Sequence, residues 1–219
     1  MTRWVLLPAF GQEAAADDVD GWLRAARAVE QEHPDVHSSD VELDLPPSFG
    51  GGDATWDLET AVPLDQLPVV TALSTAGTGP LRSCDRVALD PLRMGFDPFP
   101  GPRVKRTLLL TIKPGTAQAL VERFELSLAA MAEHIPEIRS WSLSRVDRER
   151  SDAGWTHAWE QEFADLDGLR RGYMQAAYHV TAVERWFDPE IPGAVVETAV
   201  AHLMRPAYRP VIGRKTDRS

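Results

Sequence analysis

Short apolar runs of strand length alternate along the chain with longer stretches whose apolar residues recur every three or four positions. The second half shows this most plainly. In "VKRTLLLTIKPG" the apolar run predicts a strand over Lys105–Ile112, closed by the turn signal Pro114-Gly115. "AQALVERFELSLAAMAEH" places Leu120, Phe124, Leu128 and Met131 on one helical face, with Thr116 as the expected cap and Pro136 as the stop. "IRSWSLSR" alternates strictly, Trp141 and Leu143 against Ser140, Ser142 and Ser144, and so predicts a strand. In the strand-like "WTHAWEQEF", Trp155, His157, Trp159 and Phe163 are expected on one face. A helical region follows over 166–187, with Val180, Val183 and Phe187 on its buried side. Pro189 and Pro192-Gly193 break it, and "AVVETAVAHLM" closes as a final strand. The predicted order is β-α-β-β-α-β.

The first half repeats that order. "RWVLLPAF" matches "RTLLLTI" in place, and "DDVDGWLRAARAVEQEH" carries Val19, Trp22, Ala26 and Val29 on one helical face, with Asp17 or Asp18 as the expected cap. At an offset of 102, Pro34 meets Pro136, Asp35 meets Glu137, Val36 meets Ile138, Leu64 meets Leu166 and Asp65 meets Asp167. These anchors indicate an internal duplication. The expected organisation is a first repeat over 1–96, a Pro-rich linker over 97–103, a second repeat over 104–204 and a basic tail over 205–219. A β-α-β-β-α-β unit leaves one sheet face uncovered by its helices, and the other repeat is the available cover. The predicted fold class is therefore α+β, two tandem ferredoxin-like repeats closing an intramolecular dimeric α/β barrel. A monomer with a pseudo-dimeric barrel, or a homodimer, would satisfy it.

Composition narrows the partners. The net charge of −10 excludes a general nucleic-acid binder. That charge is lopsided: residues 1–102 hold 17 acids and 6 bases, and residues 103–219 hold 16 acids and 17 bases. The tail "RPAYRPVIGRKTDRS" is expected to be extended or mobile, and could lie on the acidic first repeat. No apolar run reaches the roughly 18 residues of a membrane span, and no signal peptide is recognisable. The single Cys84 fits a reducing cytoplasm. His33 and His37 have metal-pair spacing, but Pro34 intervenes and no metal is expected. The Gly-rich "FGGGDA" is a hairpin loop rather than a phosphate cradle.

The motifs "LLTIKPGT", "IPEIRSWSLSR", "GWTHAWEQEF" and "YMQAAYHVTAVE", in that order, make residues 104–204 resemble the stress-responsive dimeric α/β barrel (Dabb) family. That family is similar to, and includes, plant polyketide cyclases of the olivetolic acid cyclase kind, which close a ring by aldol condensation without cofactor. The resemblance implies Tyr173 and His179 as an acid–base pair and His157 as a pocket residue. Two positions that carry His in those cyclases are Arg106 and Ala176 here, and a guanidinium cannot act as a neutral base. The first repeat has Thr71, Gly77 and Thr55 where the second has Tyr173, His179 and His157, so a site is expected only in the second.

Each candidate has a plainer reading. His179 could be a general base with a pKa near neutrality, or a helix-start His bonded to backbone. Tyr173 could bind an oxyanion, or be a half-buried Tyr with its hydroxyl at the surface. His157, with Trp155 and Trp159 as substrate-binding neighbours, could line a pocket for a flat apolar ligand or belong to a satisfied aromatic core. Arg106 could meet a ligand carboxylate, or pair with a buried acid such as Glu162, the simpler arrangement. The first expectation is a cofactor-independent lyase or cyclase acting on a small hydrophobic carbonyl, polyketide-like or aromatic compound. A non-catalytic binding or stress-response protein, and a cofactor-free or haem-linked oxygenase, are the alternatives.

Overall fold

In the computed structural model, which describes residues 1–213, β1 (Thr2–Phe10), α1 (Ala16–Glu32), β2 (Val36–Leu43), β3 (Ala54–Thr60), α2 (Pro68–Ser74) and β4 (Leu81–Gly95) make the first half. The second half runs β5 (Arg103–Ile112), α3 (Gln118–His134), β6 (Ser140–Asp147), β7 (His157–Phe163), an irregular helical stretch, and β8 (Val196–Ala207). All eight strands join one antiparallel sheet in the order β2-β3-β1-β4-β6-β7-β5-β8. The two halves therefore contribute β2-β3-β1-β4 and β6-β7-β5-β8, the same spatial order twice, in an α+β barrel.

The long helices α1 and α3 occupy positions 102 apart and stop in the same way. His33 N–H donates to the Val29 carbonyl at 3.0 Å, and Ile135 N–H to Met131 at 2.8 Å. Pro34 and Pro136 then lack the N–H that a further turn would need. Helix starts differ from expectation. Ala15 and Ala117 hold the cap positions without side-chain bonds, Asp17 and Asp18 fall in the first turn, and Thr116 turns back to the Lys113 carbonyl at 2.7 Å. Acids in a first turn are favoured by the helix dipole rather than by capping.

Strict alternation along the strands separates two interiors. On β5, Arg106, Leu108 and Leu110 face the helices, while Lys105, Thr107 and Leu109 face the inside of the barrel. In the first half the helix-facing layer is filled by Trp22, whose ring meets Phe10 at 5.4 Å and Trp56 at 5.6 Å in edge contacts. The barrel interior has an apolar part, with Val5, Leu7, Val87, Leu109 and Leu203, and a charged part. There Lys105 Nζ, fully buried, donates to Glu160 at 2.8 Å and also to Asp57, and Arg3 reaches Glu160 at 2.9 Å. Arg205 joins Asp57 and Asp40, and Arg103 joins Glu162 at 3.0 Å. Burial alone would raise the Asp57 carboxyl, but Lys105 and Arg205 hold it below the ordinary carboxylate range.

The barrel closes by two unlike seams. Between β4 and β6 an antiparallel ladder runs from Ala88–Asp147 to Gly95–Trp141, with one register shift between Pro91 and Arg93. On the other side the loop after β2 reaches β8: Leu45 N–H donates to the Met204 carbonyl at 2.6 Å, and Phe49 exchanges backbone bonds with His202 at 3.0 and 2.9 Å. The glycines of "FGGGDA" serve this closure. A Cβ on Gly50, whose φ is +80°, would collide with the Val200 carbonyl, and one on Gly52 with that of Pro8. The tail, expected to be extended or mobile, starts inside β8. Arg209 then binds Glu30 at 2.6 Å and Asp40 at 3.0 Å on the acidic first half, while residues 214–219 lie outside the described residues.

Breaking one buried pair should cost far more than breaking an exposed one. Lys105→Met leaves Glu160 and Asp57 short of a cation in a dry interior, with an expected loss of about 3–5 kcal/mol. Asp152→Ala removes only the surface partner of Arg86 and should cost less than about 1 kcal/mol. Urea unfolding of both variants checks the difference.

Candidate active site

Between the sheet and helices of the second half lies a cavity of about 270 Å³. Its walls are mostly apolar: Leu108 from β5, Trp159 from β7, Val200 from β8, Leu128 and Met131 from α3. The remaining wall comes from the stretch between β7 and β8, which is not the regular helix that its periodicity predicted. It forms wide π-type turns over Gly168–Tyr173 and His179–Val183, then a tight turn over Glu184–Trp186. The wider turn changes the register of its faces. Val180, expected inside, is 47% exposed, whereas His179 and Val183 point inward. Such turns inside helices recur at functional sites because they re-aim side chains. Two contacts moor the stretch to α3: Tyr178 donates its hydroxyl to the Ser127 carbonyl at 3.3 Å, and its ring stacks on His134 at 4.2 Å.

Tyr173 and His179, six positions apart in the chain, meet on the cavity wall with ring centroids 4.7 Å apart. The guanidinium of Arg106 stands 5.0 Å from the centre of the Tyr173 ring. Its Nε donates to His202 Nε2 at 2.6 Å and its Nη1 to the Gln161 amide oxygen. Because His202 accepts through Nε2, its own proton sits on Nδ1. Phe49, reaching over from the first half, packs against the His202 ring at 5.7 Å. Glu184 lines the same cavity, its carboxylate 3.5 Å from His179 Nδ1, too long for a hydrogen bond of ordinary strength.

Electrostatics in this pocket run against protonation. Burial, helped by the Arg106 charge, pushes His179 down to about 4, and burial together with Arg106 and His179 pushes His202 down to about 3. Both imidazoles are neutral at pH 7, well below the near-neutral value expected of a free general base. Burial lowers the Arg106 pKa as well, partly offset by its interaction with Tyr173.

The cavity thus brings together Tyr173, His179, Arg106 and Trp159. It does not include His157 or Trp155. His157 faces α3, where it bonds Glu125 at 3.0 Å and Thr156 at 2.9 Å, and burial lowers its pKa. This is the satisfied core histidine of the plainer reading. Trp155 precedes β7 and packs against the barrel-interior cluster, so it leaves the face shared by His157, Trp159 and Phe163. Glu162 is not the partner of Arg106. It lies on the other face of the sheet with Arg103. Sequence reading missed His202, Phe49 and Glu184. Period-2 alternation from Met204 would have placed His202 beside Arg106 on the helix side, but nothing local marks Phe49, whose position depends on the closing seam.

Residues 104–197 match the family model described as the stress responsive A/B barrel domain. No curated protein matches the chain. Solved structures share the fold at low identity. A candidate monooxygenase from Lactobacillus acidophilus NCFM is 10% identical with a TM-score of 0.60, covering 96% of each chain. An anthrone oxidase-like protein is 12% identical with a TM-score of 0.60, covering 94% of this chain and 92% of that one. A variant chlorite dismutase from Candidatus Nitrospira defluvii is 8% identical with a TM-score of 0.57, covering 96% and 91%. No helix among the described residues is long and apolar enough to cross a membrane.

The depressed imidazoles set a pH dependence. Between pH 6.5 and about 4 the unfolded chain takes up protons that the folded His179 and His202 refuse. Their stabilising contribution is complete above pH 6.5 and falls as the pH drops through that window. Urea unfolding across pH 4–7 should show a slope that His202→Gln, which keeps an acceptor for Arg106, makes shallower.

Proposed function

We propose that the second-half cavity performs cofactor-independent acid–base chemistry on a small apolar carbonyl compound. The observation that supports this most is the convergence of Tyr173, His179 and Arg106 on one otherwise apolar cavity. His179, neutral at pH 7, takes the proton from a carbon next to the carbonyl. The C–H electron pair moves into a new C–C double bond, and the carbonyl becomes an enolate. The Tyr173 hydroxyl and the Arg106 guanidinium supply hydrogen bonds and charge where that oxyanion develops. A base with a pKa near 4 is weak, but its weakness has a local cause. Burial is the larger cause and Arg106 the second; negative charge growing beside Arg106 offsets that second part, so His179 regains some basicity as the proton moves. The enolate carbon then attacks a second carbonyl, as in an aldol ring closure, and the resulting alkoxide takes the proton back from His179; otherwise His179 returns the proton to the enolate carbon.

The volume bounds the substrate. About 270 Å³ exceeds the roughly 150 Å³ that accepts benzene and falls just short of the roughly 300 Å³ where drug-sized pockets begin. One ring with a short side chain fits. A haem macrocycle does not fit that space, and the Nε2 lone pair of His202 is already taken by Arg106. An oxygenase or oxidase acting on an activated phenol without haem is a second reading. It is favoured by the same arrangement, since a phenolate beside Arg106 is also an oxyanion, and by the monooxygenase and oxidase-like names of the neighbours. A purely binding role leaves the meeting of Tyr173 with His179 without a use.

The test is hydrogen–deuterium exchange at the α-carbon of small aryl ketones and β-keto compounds in D₂O, followed by NMR. Wild type should catalyse exchange. Tyr173→Phe should lower its rate about 10²–10³-fold, as for other oxyanion donors. His179→Ala should abolish it while circular dichroism stays unchanged, and full exchange by that variant would sink the reading.

A further inference from the structure

The basic side chains buried among the described residues divide sharply by partner. Arg103, Lys105 and Arg205 each hold at least one carboxylate at salt-bridge distance. Arg106, only 4% exposed, holds none among the described residues. Its partners are the neutral Gln161 amide, the neutral His202 ring and the Tyr173 side chain. A buried charge without a counter-charge is costly, and a chain that pairs its other buried bases has left this one open toward a cavity. The surroundings repeat the pattern. The Trp159 indole N–H, on the cavity wall, and the Gln161 amide nitrogen, beside Arg106, are both buried without hydrogen-bond partners among the described residues. Both groups are donors, and of the two Trp159 lines the cavity, so the cavity wall offers an unpaired donor beside one positive charge. The carboxylate lining the cavity, on Glu184, is about half exposed and lies against His179.

We infer that the cavity selects a ligand carrying an anionic oxygen group, a carboxylate on a small aromatic or alkyl-aromatic body, with Arg106 as its counter-ion and specificity-determining residue. The carboxylate sits against the guanidinium, within reach of the unpaired Trp159 donor, and the apolar body lies along Leu108, Leu128, Met131 and Val183. Arg106 reaches the ligand from the middle of a strand paired on both sides, so its backbone is fixed before binding. This inference rests on the reading of the same cavity as a catalytic pocket, and it names the substrate class. The substrate's acid group occupies the guanidinium in the ground state, and the reacting carbonyl lies next to it, toward Tyr173 and His179.

A matched pair of probes tests it, 4-n-butylbenzoate and its neutral isostere 4-n-butylbenzamide, by calorimetry and thermal shift at pH 7 with the full chain. Wild type should bind the benzoate at least tenfold more tightly than the benzamide. Arg106→Gln should bring the two affinities within about threefold of each other. Should Arg106→Gln fail to fold, the wild-type ratio still decides. Equal or tighter binding of the benzamide by wild type overturns the inference, as does a benzoate preference that survives Arg106→Gln. In those outcomes α-carbon exchange that depends on His179 would leave the catalytic reading standing. Failure of wild type to bind either probe overturns the inference, and the exchange assay then judges the cavity separately.

Discussion

A charge removed from water needs a counter-charge, and most of this molecule's interior follows from how the strands of the second half meet that requirement. On β5 adjacent residues point to opposite faces, so Lys105 and Arg106 enter different interiors. Lys105 enters the barrel, where Asp57 from the first half and Glu160 from the second close around it. Arg106 enters the helix-facing layer, where only neutral groups and a cavity meet it. The barrel-side network fastens the two halves together. The helix-side cation gives an otherwise mostly apolar pocket a polar end.

The contrast between the halves has a steric basis as well as an electrostatic one. Trp4 stands in the first half where Arg106 stands in the second, and its indole N–H is satisfied by Thr60 at 3.1 Å. With Trp22 and Trp56 it fills the space between sheet and helices. The second half spends Phe124, Trp186 and Phe187 on one side of that layer and leaves room on the other. The first half is nevertheless part of the pocket. Its Gly-rich loop seals the second seam, and that seal delivers Phe49 to His202, which in turn holds Arg106. A loop with no chemistry of its own thereby fixes the orientation of a buried cation.

The same electrostatics shape reactivity. Burial and the nearby guanidinium keep both imidazoles neutral, but the Nε2 lone pair of His202 is occupied by Arg106, which leaves His179 as the imidazole able to accept a proton. The irregular turns that carry Tyr173 and His179 are held to α3 through Tyr178 and to the sheet through aromatic packing of Phe163 on Tyr173 at 5.5 Å. A regular helix would have turned His179 and Val180 to other directions. Local backbone geometry, packing and proton affinity are thus linked at one position.

The chain by itself determined a good deal. Apolar periodicity located β1, the four strands of the second half and both long helices, and the prolines that end α1 and α3 recur 102 positions apart because neither helix can pass them. Tyr173 and His179 were marked by the family resemblance and by their absence from the first half, and Arg106 by standing where similar cyclases carry a His. These features are local or follow from comparing one half with the other. Tertiary structure decided the rest. His157 and Trp159 share a strand face, yet only Trp159 borders the cavity, because α3 brings Glu125 to His157 and Leu128 and Met131 to the space beside it. The partner of Arg106 could not be read from its neighbours in the chain. Glu162 lies one residue from Gln161, and that single step in a strand of period two puts its carboxylate on the other side of the sheet.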